Sequence, residues 1–337
     1  MRWILQTRGG LHVDGERALD LDLCVEARHP WSAIAVRSGQ IVYQTGPDGR
    51  TPWRSAAKPI QLATCLELLG DPWLRAEELA VGAASHSGQP IHVRWVREIL
   101  ARFDVAESDL RCAPHPPMHT GSADEVLRAG RPFTDIHNNC SGKHAFMLAT
   151  AMRSGWSIDY RPPDHPLQRR IAARVREWAG VAPELALDGC GVPTFCLPLS
   201  AIARAWSVVA EAMADDLDRT RLGRIGRAMA EHPELTSGSE RFDASVVHHA
   251  RAPMAVKIGA GGVFCIALPD RGLGLAVKVW SGSTDALPAA VSRALAEVAP
   301  DAWMEPPAWR FVEVRNVAGR LAGLYSDAAG ADMQMAP

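Results

Sequence analysis

Alternating hydrophobic and polar side chains near both ends of the chain predict β-strands. Residues 33–45 alternate in this way around Ser38-Gly39, a pattern typical of a β-hairpin. Toward the other end, the apolar runs that predict strands are residues 254–268, 273–279, 309–317 and 321–325. The predicted strands therefore lie at the two ends of the chain and leave the middle for other structure.

Apolar residues in the middle of the chain recur every three or four positions, the spacing of one face of an α-helix. The predicted helices are 59–69, 76–84, 90–103, 142–153, 166–179, 198–213 and 219–231, followed by a late helix at 285–298. The simplest architecture is an α/β fold. An antiparallel sheet would form from roughly residues 1–50 and 250–330, with a helical insert at roughly 55–245 packed on it. We expect residues 1–337 to form one domain.

The charge and hydropathy of the chain exclude some classes of binding partner. A net charge of −2 and a pI near 6.6, with no run of Lys and Arg, argue against nucleic acid and against a membrane surface. No apolar stretch approaches the ~18 residues of a membrane-spanning helix, and the first residues are too polar for a signal peptide. We therefore expect a cytoplasmic protein, in which most of the 7 cysteines are buried reduced thiols.

Lysine is scarce in this chain. Of 36 basic Lys and Arg residues, lysine occurs only at Lys58, Lys143, Lys257 and Lys278, so 36 − 4 = 32 are arginine. Arginine stays charged in proteins, whereas a buried lysine can become a neutral amine that accepts a proton or binds a metal. A genome rich in arginine codons would also explain the scarcity. It would not explain why three of the four lysines lie in segments rich in Ser, Gly and Cys.

Ser55 and Lys58 form a Ser-x-x-Lys motif where a predicted strand gives way to a helix. Residues three apart face the same side of a helix, so the amine can take the proton of the serine hydroxyl if burial keeps it neutral. The helix start also favours developing negative charge. Ser-x-x-Lys occurs often by chance, and the motif alone does not establish catalysis.

The segment 83–90 interrupts two predicted helices and contains Ser85, His86 and Ser87. These side chains could supply a second hydroxyl, a proton carrier or donors to an oxyanion. The simpler interpretation is a helix end followed by the N-cap of the next helix, with Pro90 in its first turn.

Cys140, Lys143 and Cys190 are candidate metal ligands. Cys-x-x-Lys places two donor atoms on one face of a helix, Cys190 lies in a tight turn, and zinc prefers Cys and His ligands. Two alternatives stay open. Cys140 could be a thiolate nucleophile with His144 as its base, or both cysteines could simply pack in the core.

The remaining candidate functional residues are single side chains outside these motifs. Lys257, in an apolar strand followed by glycines, faces either solvent or a cleft, whereas Lys278 is expected on the solvent face of its strand. Arg54 could hold a substrate carboxylate through paired hydrogen bonds. Asp188 and Asp243 could hold a substrate ammonium, or could equally be turn and capping residues.

Taken together, these segments resemble the Rhizobium etli-type, or type III, L-asparaginases, a family also called asparaginase II. The motifs that carry the resemblance are Arg54-Ser-Ala-Ala-Lys-Pro59, Ala84-Ser-His-Ser87, Asn139-Cys-Ser-Gly-Lys-His144, Asp188-Gly-Cys190 and Lys257-Ile-Gly259. Five motifs in the same order and spacing are far more specific than any one of them.

The resemblance implies a fold similar to serine β-lactamases and glutaminases, and hydrolysis of L-asparagine to L-aspartate and ammonia. It implies two Ser–Lys pairs, Ser55 with Lys58 and Ser85 with Lys257. It also implies a homodimer and a zinc ion that positions substrate and is not essential for the chemical step. The implied zinc ligands are Cys140, Lys143 and Cys190, and the expected substrate-binding residues are Arg54, His86, Asp188 and Asp243.

Asp243 departs from the family pattern, in which a cysteine can occupy this position near the site. Other functions also remain open at this stage. A glutaminase or another small-amide hydrolase would use the same residues, because one methylene changes binding by only ~1–3 kcal/mol. A penicillin-recognising serine enzyme and a non-catalytic zinc-binding protein share individual motifs.

Overall fold

A computed structural model of the chain describes residues 2–8, 24–70, 72–215, 220–304 and 312–327. The strands are β1 (Arg2–Arg8), β2 (Cys24–Arg37), β3 (Gln40–Thr45), β4 (Arg50–Pro52), β5 (Glu184–Leu187), β6 (Pro193–Pro198), β7 (Ala255–Gly259), β8 (Val263–Leu268), β9 (Leu273–Val279), β10 (Val312–Arg315) and β11 (Leu321–Asp327). The helices are α1 (Lys58–Leu68), α2 (Ala76–Gly82), α3 (Pro90–Arg102), α4 (Thr120–Arg128), α5 (Ser141–Arg153), α6 (Pro166–Ala179), α7 (Leu199–Ala214), α8 (Arg221–Glu231), α9 (Pro233–Thr236), α10 (Phe242–His248) and α11 (Leu287–Val298).

The main sheet joins the two ends of the chain. Its strands follow the order β10-β11-β1-β2-β9-β8-β7, with β3 also paired to β2. Every pairing in this sheet is antiparallel. The predicted fold class is confirmed: the protein is α/β, with an antiparallel sheet from N- and C-terminal strands and a helical region between them.

Both faces of the central strands are buried. Along β2, Ile34 and Val36 belong to a core shared with the helical region, whereas Ala33 and Ala35 belong to a second core that includes α11. Successive side chains of a strand point to opposite faces, so this alternation places helices on both sides of the sheet. The close approach of α7 explains Gly274, where a Cβ atom would overlap the backbone of α7 at Ser207.

Two predictions about strands need correction. The predicted strand 254–268 is a hairpin, because Gly261 and Gly262, each with φ of 76°, turn the chain between β7 and β8. A small second sheet, β4-β6-β5, was not predicted, since its strands are short and β4 and β6 contain proline. The beginning of the predicted strand 309–317 lies outside the described residues.

The predicted helices are confirmed to within about two residues at most ends. The predicted start of 219–231 lies at residue 219, outside the described residues, and α4, α9 and α10 were missed. Two of these, α9 and α10, have only 4 and 7 residues, too short to show a clear period. Within the described ranges, no helix has the length and apolar character needed to cross a membrane.

Candidate active site

Lys58 is the first residue of α1, and its side chain is 1 % exposed. Its amine donates hydrogen bonds to Ser85 Oγ at 2.8 Å and to the carbonyl oxygen of Ala84 at 2.6 Å. Both partners are uncharged. The spacing of Ser-x-x-Lys predicted Ser55 as the partner of Lys58, but the hydrogen bond observed is to Ser85. The reason is that the Lys58 side chain points inward, to the loop that follows α2.

Ser55 lies in the short 3-10 helix Arg54–Ala57 that leads into α1. Arg54, just before it, has φ of 54°, a conformation that costs a non-glycine residue energy and is common at functional turns. Ser55 is only partly buried, and within the described residues its hydroxyl makes no hydrogen bond. It is therefore the more accessible of the two predicted catalytic hydroxyls.

Lys257 of β7 brings a second buried amine to this region. The strand approaches the Ser55 turn closely, since a Cβ atom on Gly259 would lie 2.7 Å from the carbonyl oxygen of Trp53. Lys257 is fully buried and donates to Asp243 Oδ2 at 3.2 Å and to the carbonyl oxygen of Ile258 at 3.3 Å. The implied Ser85–Lys257 pair is thus replaced by a Lys257–Asp243 ion pair. We call Ser55, Lys58, Ser85 and Lys257 the serine–lysine cluster.

The environment of Lys257 changes its proton affinity. Burial lowers the pKa of Lys257, the Asp243 carboxylate opposes this, and Lys58 adds to the lowering whenever it is protonated. The net result is a pKa of about 8 in place of the ordinary 10.5.

The loop that holds Ser85 is fixed by its neighbours. His86 N donates to the carbonyl oxygen of Asn139 at 3.1 Å, just before α5. The His86 ring accepts from Gly88 N through Nδ1 and contacts Ser141 Oγ through Nε2 at 2.8 Å. Burial keeps the pKa of His86 well below its usual range. His86 is fully buried and both ring nitrogens are occupied, so it supports the Ser85 loop; its contact with substrate stays a prediction.

Sequence analysis missed the segment 236–238, which supports the same loop. Ser85 N donates to the carbonyl oxygen of Thr236 at 3.0 Å, and Ser87 Oγ donates to that of Ser237 at 2.9 Å. Gly238 has φ of 148°, and a Cβ atom there would overlap Ser87 Oγ. The Thr-Ser-Gly sequence was a weak signal for this contact, because such segments are also common in ordinary turns.

Cys140, Lys143 and Cys190, which we call the thiol–lysine cluster, lie together as predicted, although no metal is required to explain their contact. Lys143 Nζ donates to Cys190 Sγ at 3.1 Å, and Cys140 also hydrogen-bonds to Cys190. These bonds, with the charge of Lys143, lower the pKa of Cys190 to about 5. The bond to Cys190, together with burial, raises the pKa of Cys140 to about 12. The cluster therefore favours a thiolate on Cys190 and a proton on Cys140.

The alternative of a Cys140 nucleophile with His144 as its base gains no support from the geometry. The His144 ring contacts the Tyr160 hydroxyl at 2.7 Å through Nδ1. Among the described residues, no group of three or more His, Cys, Asp and Glu side chains is arranged to bind a metal. A zinc site here would thus need the Lys143 amine as well as the two thiols.

Arg54 and Asp188 form an ion pair at the edge of the site. Arg54 Nε lies 3.0 Å from Asp188 Oδ1, and a third of the Arg54 side chain is exposed. Asp188 also accepts from Gly189 N, which fixes the turn that carries Cys190. The fourth lysine, Lys278, was expected on a solvent face, but it is 8 % exposed and donates to the carbonyl oxygen of Gly261. It takes no part in either cluster.

Comparison with known protein families shows to which family the chain belongs. The family described as L-asparaginase II matches residues 22–324, which include every member of both clusters. The chain belongs to the L-asparaginase II family. The sequence resemblance is therefore confirmed at the level of the family, and membership indicates a hydrolase of the asparaginase type. No curated protein sequence matches the chain.

Solved structures show more distant similarity. A β-lactamase from Mycobacterium bovis is 14% identical, with 79% of this chain and 94% of that chain covered and a TM-score of 0.42. The protein Mglu in its native form is 13% identical, with 85% and 69% covered and a TM-score of 0.46. A class C β-lactamase is 12% identical, with 73% and 84% covered and a TM-score of 0.34.

Proposed function

We propose that this member of the L-asparaginase II family hydrolyses the side-chain amide of L-asparagine to L-aspartate and ammonia through an acyl-enzyme on Ser55. The observation that carries the proposal is the Lys58 amine, which is buried and, among the described residues, donates only to the uncharged oxygens of Ala84 and Ser85. The amine also adjoins the turn that carries Ser55, where a hydroxyl proton must be accepted if Ser55 is the nucleophile.

Acylation begins with attack of Ser55 Oγ on the amide carbon while Lys58 accepts the hydroxyl proton. General-base assistance of this kind contributes typically ~10²–10⁴-fold to the rate. The carbon–nitrogen bond then breaks, and Lys257 gives a proton to the departing nitrogen, which leaves as ammonia. Ser85 holds the Lys58 amine in place through their hydrogen bond.

Deacylation reverses the proton transfers. Water attacks the ester carbon and gives a proton to Lys257, which regains its charge. The bond to Ser55 Oγ breaks, and Lys58 returns its proton to the serine oxygen. After both steps Ser55, Lys58 and Lys257 are in their starting protonation states, and the amide has become a carboxylic acid.

Substrate binding is assigned to charged groups beside these residues. The partly exposed guanidinium of Arg54 suits the substrate α-carboxylate, and Asp188 fixes its orientation. Asp243 Oδ1 is buried without a hydrogen-bond partner in the structure, so it offers an acceptor to the substrate ammonium. A buried carboxylate oxygen left without a partner is costly, and a bound cation would remove that cost.

Ammonia release from asparagine, glutamine and simple amides tests the proposal, with a β-lactam as an additional substrate. We expect asparagine to be hydrolysed fastest. Ser55→Ala should prevent formation of a covalent adduct detectable by mass spectrometry, whereas Ser85→Ala should slow the adduct without moving it from Ser55. An adduct on Ser85 or Cys140 would contradict the assignment, and faster hydrolysis of glutamine or the β-lactam would change the substrate.

Zinc binding is a second part of the proposal, and the donor set fits it. Two thiols and an amine meet at one point, and sulfur and nitrogen donors suit zinc once they lose their protons. Cys140, Lys143 and Cys190 would hold the ion, which would help to position substrate rather than to activate water, because two thiolates neutralise its charge. Family resemblance also supports a homodimer, which sedimentation analysis would test.

A further inference from the structure

Asp243 occupies an unusual position relative to the two buried amines. Its side chain is 2 % exposed, and its Oδ2 accepts from Lys257 Nζ at 3.2 Å and from Ile258 N at 3.0 Å. The backbone bond fixes the carboxylate on the strand that carries Lys257. Lys58, in contrast, has only a hydroxyl and a carbonyl oxygen as partners. One of two neighbouring buried amines therefore has a carboxylate and the other has none.

We propose that Asp243, through Oδ2, holds Lys257 as the charged ammonium group of the serine–lysine cluster and so makes it the proton donor of the reaction, a task separate from the substrate contact of Oδ1. The inference rests on the proposed function for its catalytic consequence, but not for the charge on Lys257. A carboxylate within hydrogen-bond distance favours the charged form of an amine, and more strongly where both are buried.

The charged groups around Lys257 come from four segments. Asp243 of α10 favours its ammonium form, whereas Arg241, just before α10, and Lys58 of α1 in its protonated form oppose it. Cys265, opposite Lys257 on β8, is a buried thiol whose pKa is raised by burial, so it adds no negative charge. The Asp243 carboxylate is thus the group that keeps Lys257 protonated at neutral pH.

The scarcity of lysine makes a direct test practical. Protein labelled with [15N]lysine carries a label at only four side-chain amines, so the Nζ signals are few and can be assigned with Lys257→Met and Lys278→Arg. Wild-type Lys257 should show the signal of an ammonium group below about pH 8 and that of an amine well above it. Asp243→Asn preserves the shape of the side chain and removes its charge.

In Asp243→Asn we expect the midpoint of the Lys257 signal to fall by about 1–3 pH units. The alkaline limb of kcat/KM should move to lower pH by the same amount, and Asp243→Glu should restore part of both shifts. An unchanged Lys257 midpoint in Asp243→Asn would overturn the inference. If Asp243→Asn does not fold, Asp243→Glu alone tests the inference. Its longer side chain changes the distance between the carboxylate and Lys257, so the pH midpoint of the Lys257 signal must also move measurably.

The two proposals fail in different ways. If no amide releases ammonia but the Lys257 midpoint falls in Asp243→Asn, the proposed function is wrong and Asp243 still holds the charge of Lys257. If ammonia is released but the alkaline limb stays in place while the midpoint moves, Lys257 is not the proton donor, and the catalytic part of the inference is overturned.

Discussion

The chain contains two similar motifs at helix starts, Ser55-Ala-Ala-Lys58 and Cys140-Ser-Gly-Lys143, and their lysines lie in opposite electrostatic surroundings. Lys58 donates to uncharged oxygens, whereas Lys143 donates to the sulfur of Cys190. Burial alone lowers the pKa of Lys143, but the charges of Cys190 and Cys140 outweigh it and raise that pKa above its ordinary value. The two motifs share one spacing, yet their lysines have different partners, neutral oxygens in one motif and a sulfur in the other.

This contrast assigns different tasks to the two clusters. In the proposed mechanism, the serine–lysine cluster supplies a hydroxyl, a proton acceptor and, through Asp243, a proton donor. The thiol–lysine cluster instead combines a cation with a thiolate, which suits structural support, and zinc binding there would require the Lys143 amine to lose its proton. The two lie close enough for Lys58 to act on the charge of Cys140, so changes in one cluster need a control in the other.

The largest effect on activity is expected from Lys58→Arg. Guanidinium cannot accept a proton at neutral pH, so ammonia release from asparagine should fall on the order of 10³-fold or more while the fold is retained. Lys278→Arg is the matched control, because Lys278 lies over the Trp280 ring, a contact that arginine can also make. Steady-state kinetics measures the activity of both variants, and circular dichroism measures whether they fold. If Lys58→Arg kept the wild-type turnover, Lys58 could not be the base that accepts the Ser55 proton.

A smaller effect on activity is expected from Cys190→Ala. Loss of one thiol should lower the zinc content per chain, measured by elemental analysis, yet reduce ammonia release by only about 10–100-fold. Cys196→Ala, in β6 and outside the cluster, should change neither quantity. If Cys190→Ala loses as much activity as Lys58→Arg, the two clusters do not have separate tasks.

Gly142 connects the two clusters through packing. It lies in α5, and a Cβ atom there would overlap the carbonyl oxygen of Val81 near the end of α2, just before the Ser85 loop. Alanine normally stabilises a helix by about 1 kcal/mol relative to glycine, but here crowding should lower the free energy of unfolding by roughly 1–3 kcal/mol. Gly121→Ala in α4 is the control. Urea unfolding distinguishes them, and stabilisation by Gly142→Ala would contradict the close contact.

The comparison also shows what the sequence alone could predict. The sheet and most helices followed from periodicity, because hydrophobic burial dominates the placement of long elements. The thiol–lysine cluster was found because Cys-x-x-Lys is local and Cys190 lies in a conspicuous turn. The partners of Lys58 and Lys257 were assigned differently from the structure, because hydrogen bonds between distant segments depend on how those segments pack. Nothing in the spacing of Ser55 and Lys58 could show that Ser85 lies nearer.

The smallest expected effect is on the pH dependence of the free energy of unfolding. It tests whether Lys257 loses its proton more easily than an ordinary surface lysine. Its pKa is about 8 in the folded chain and near the ordinary 10.5 in the unfolded chain, so the unfolded chain binds more protons between these values. Raising the pH through this window should therefore favour the folded state. The wild type should gain roughly 2 kcal/mol in free energy of unfolding relative to Lys257→Met between pH 8 and 10. Urea unfolding of both proteins at several pH values measures this difference. A difference that stays flat or falls would mean that Lys257 is not deprotonated more easily in the folded protein, and the contrast between the buried amines would lose its electrostatic basis.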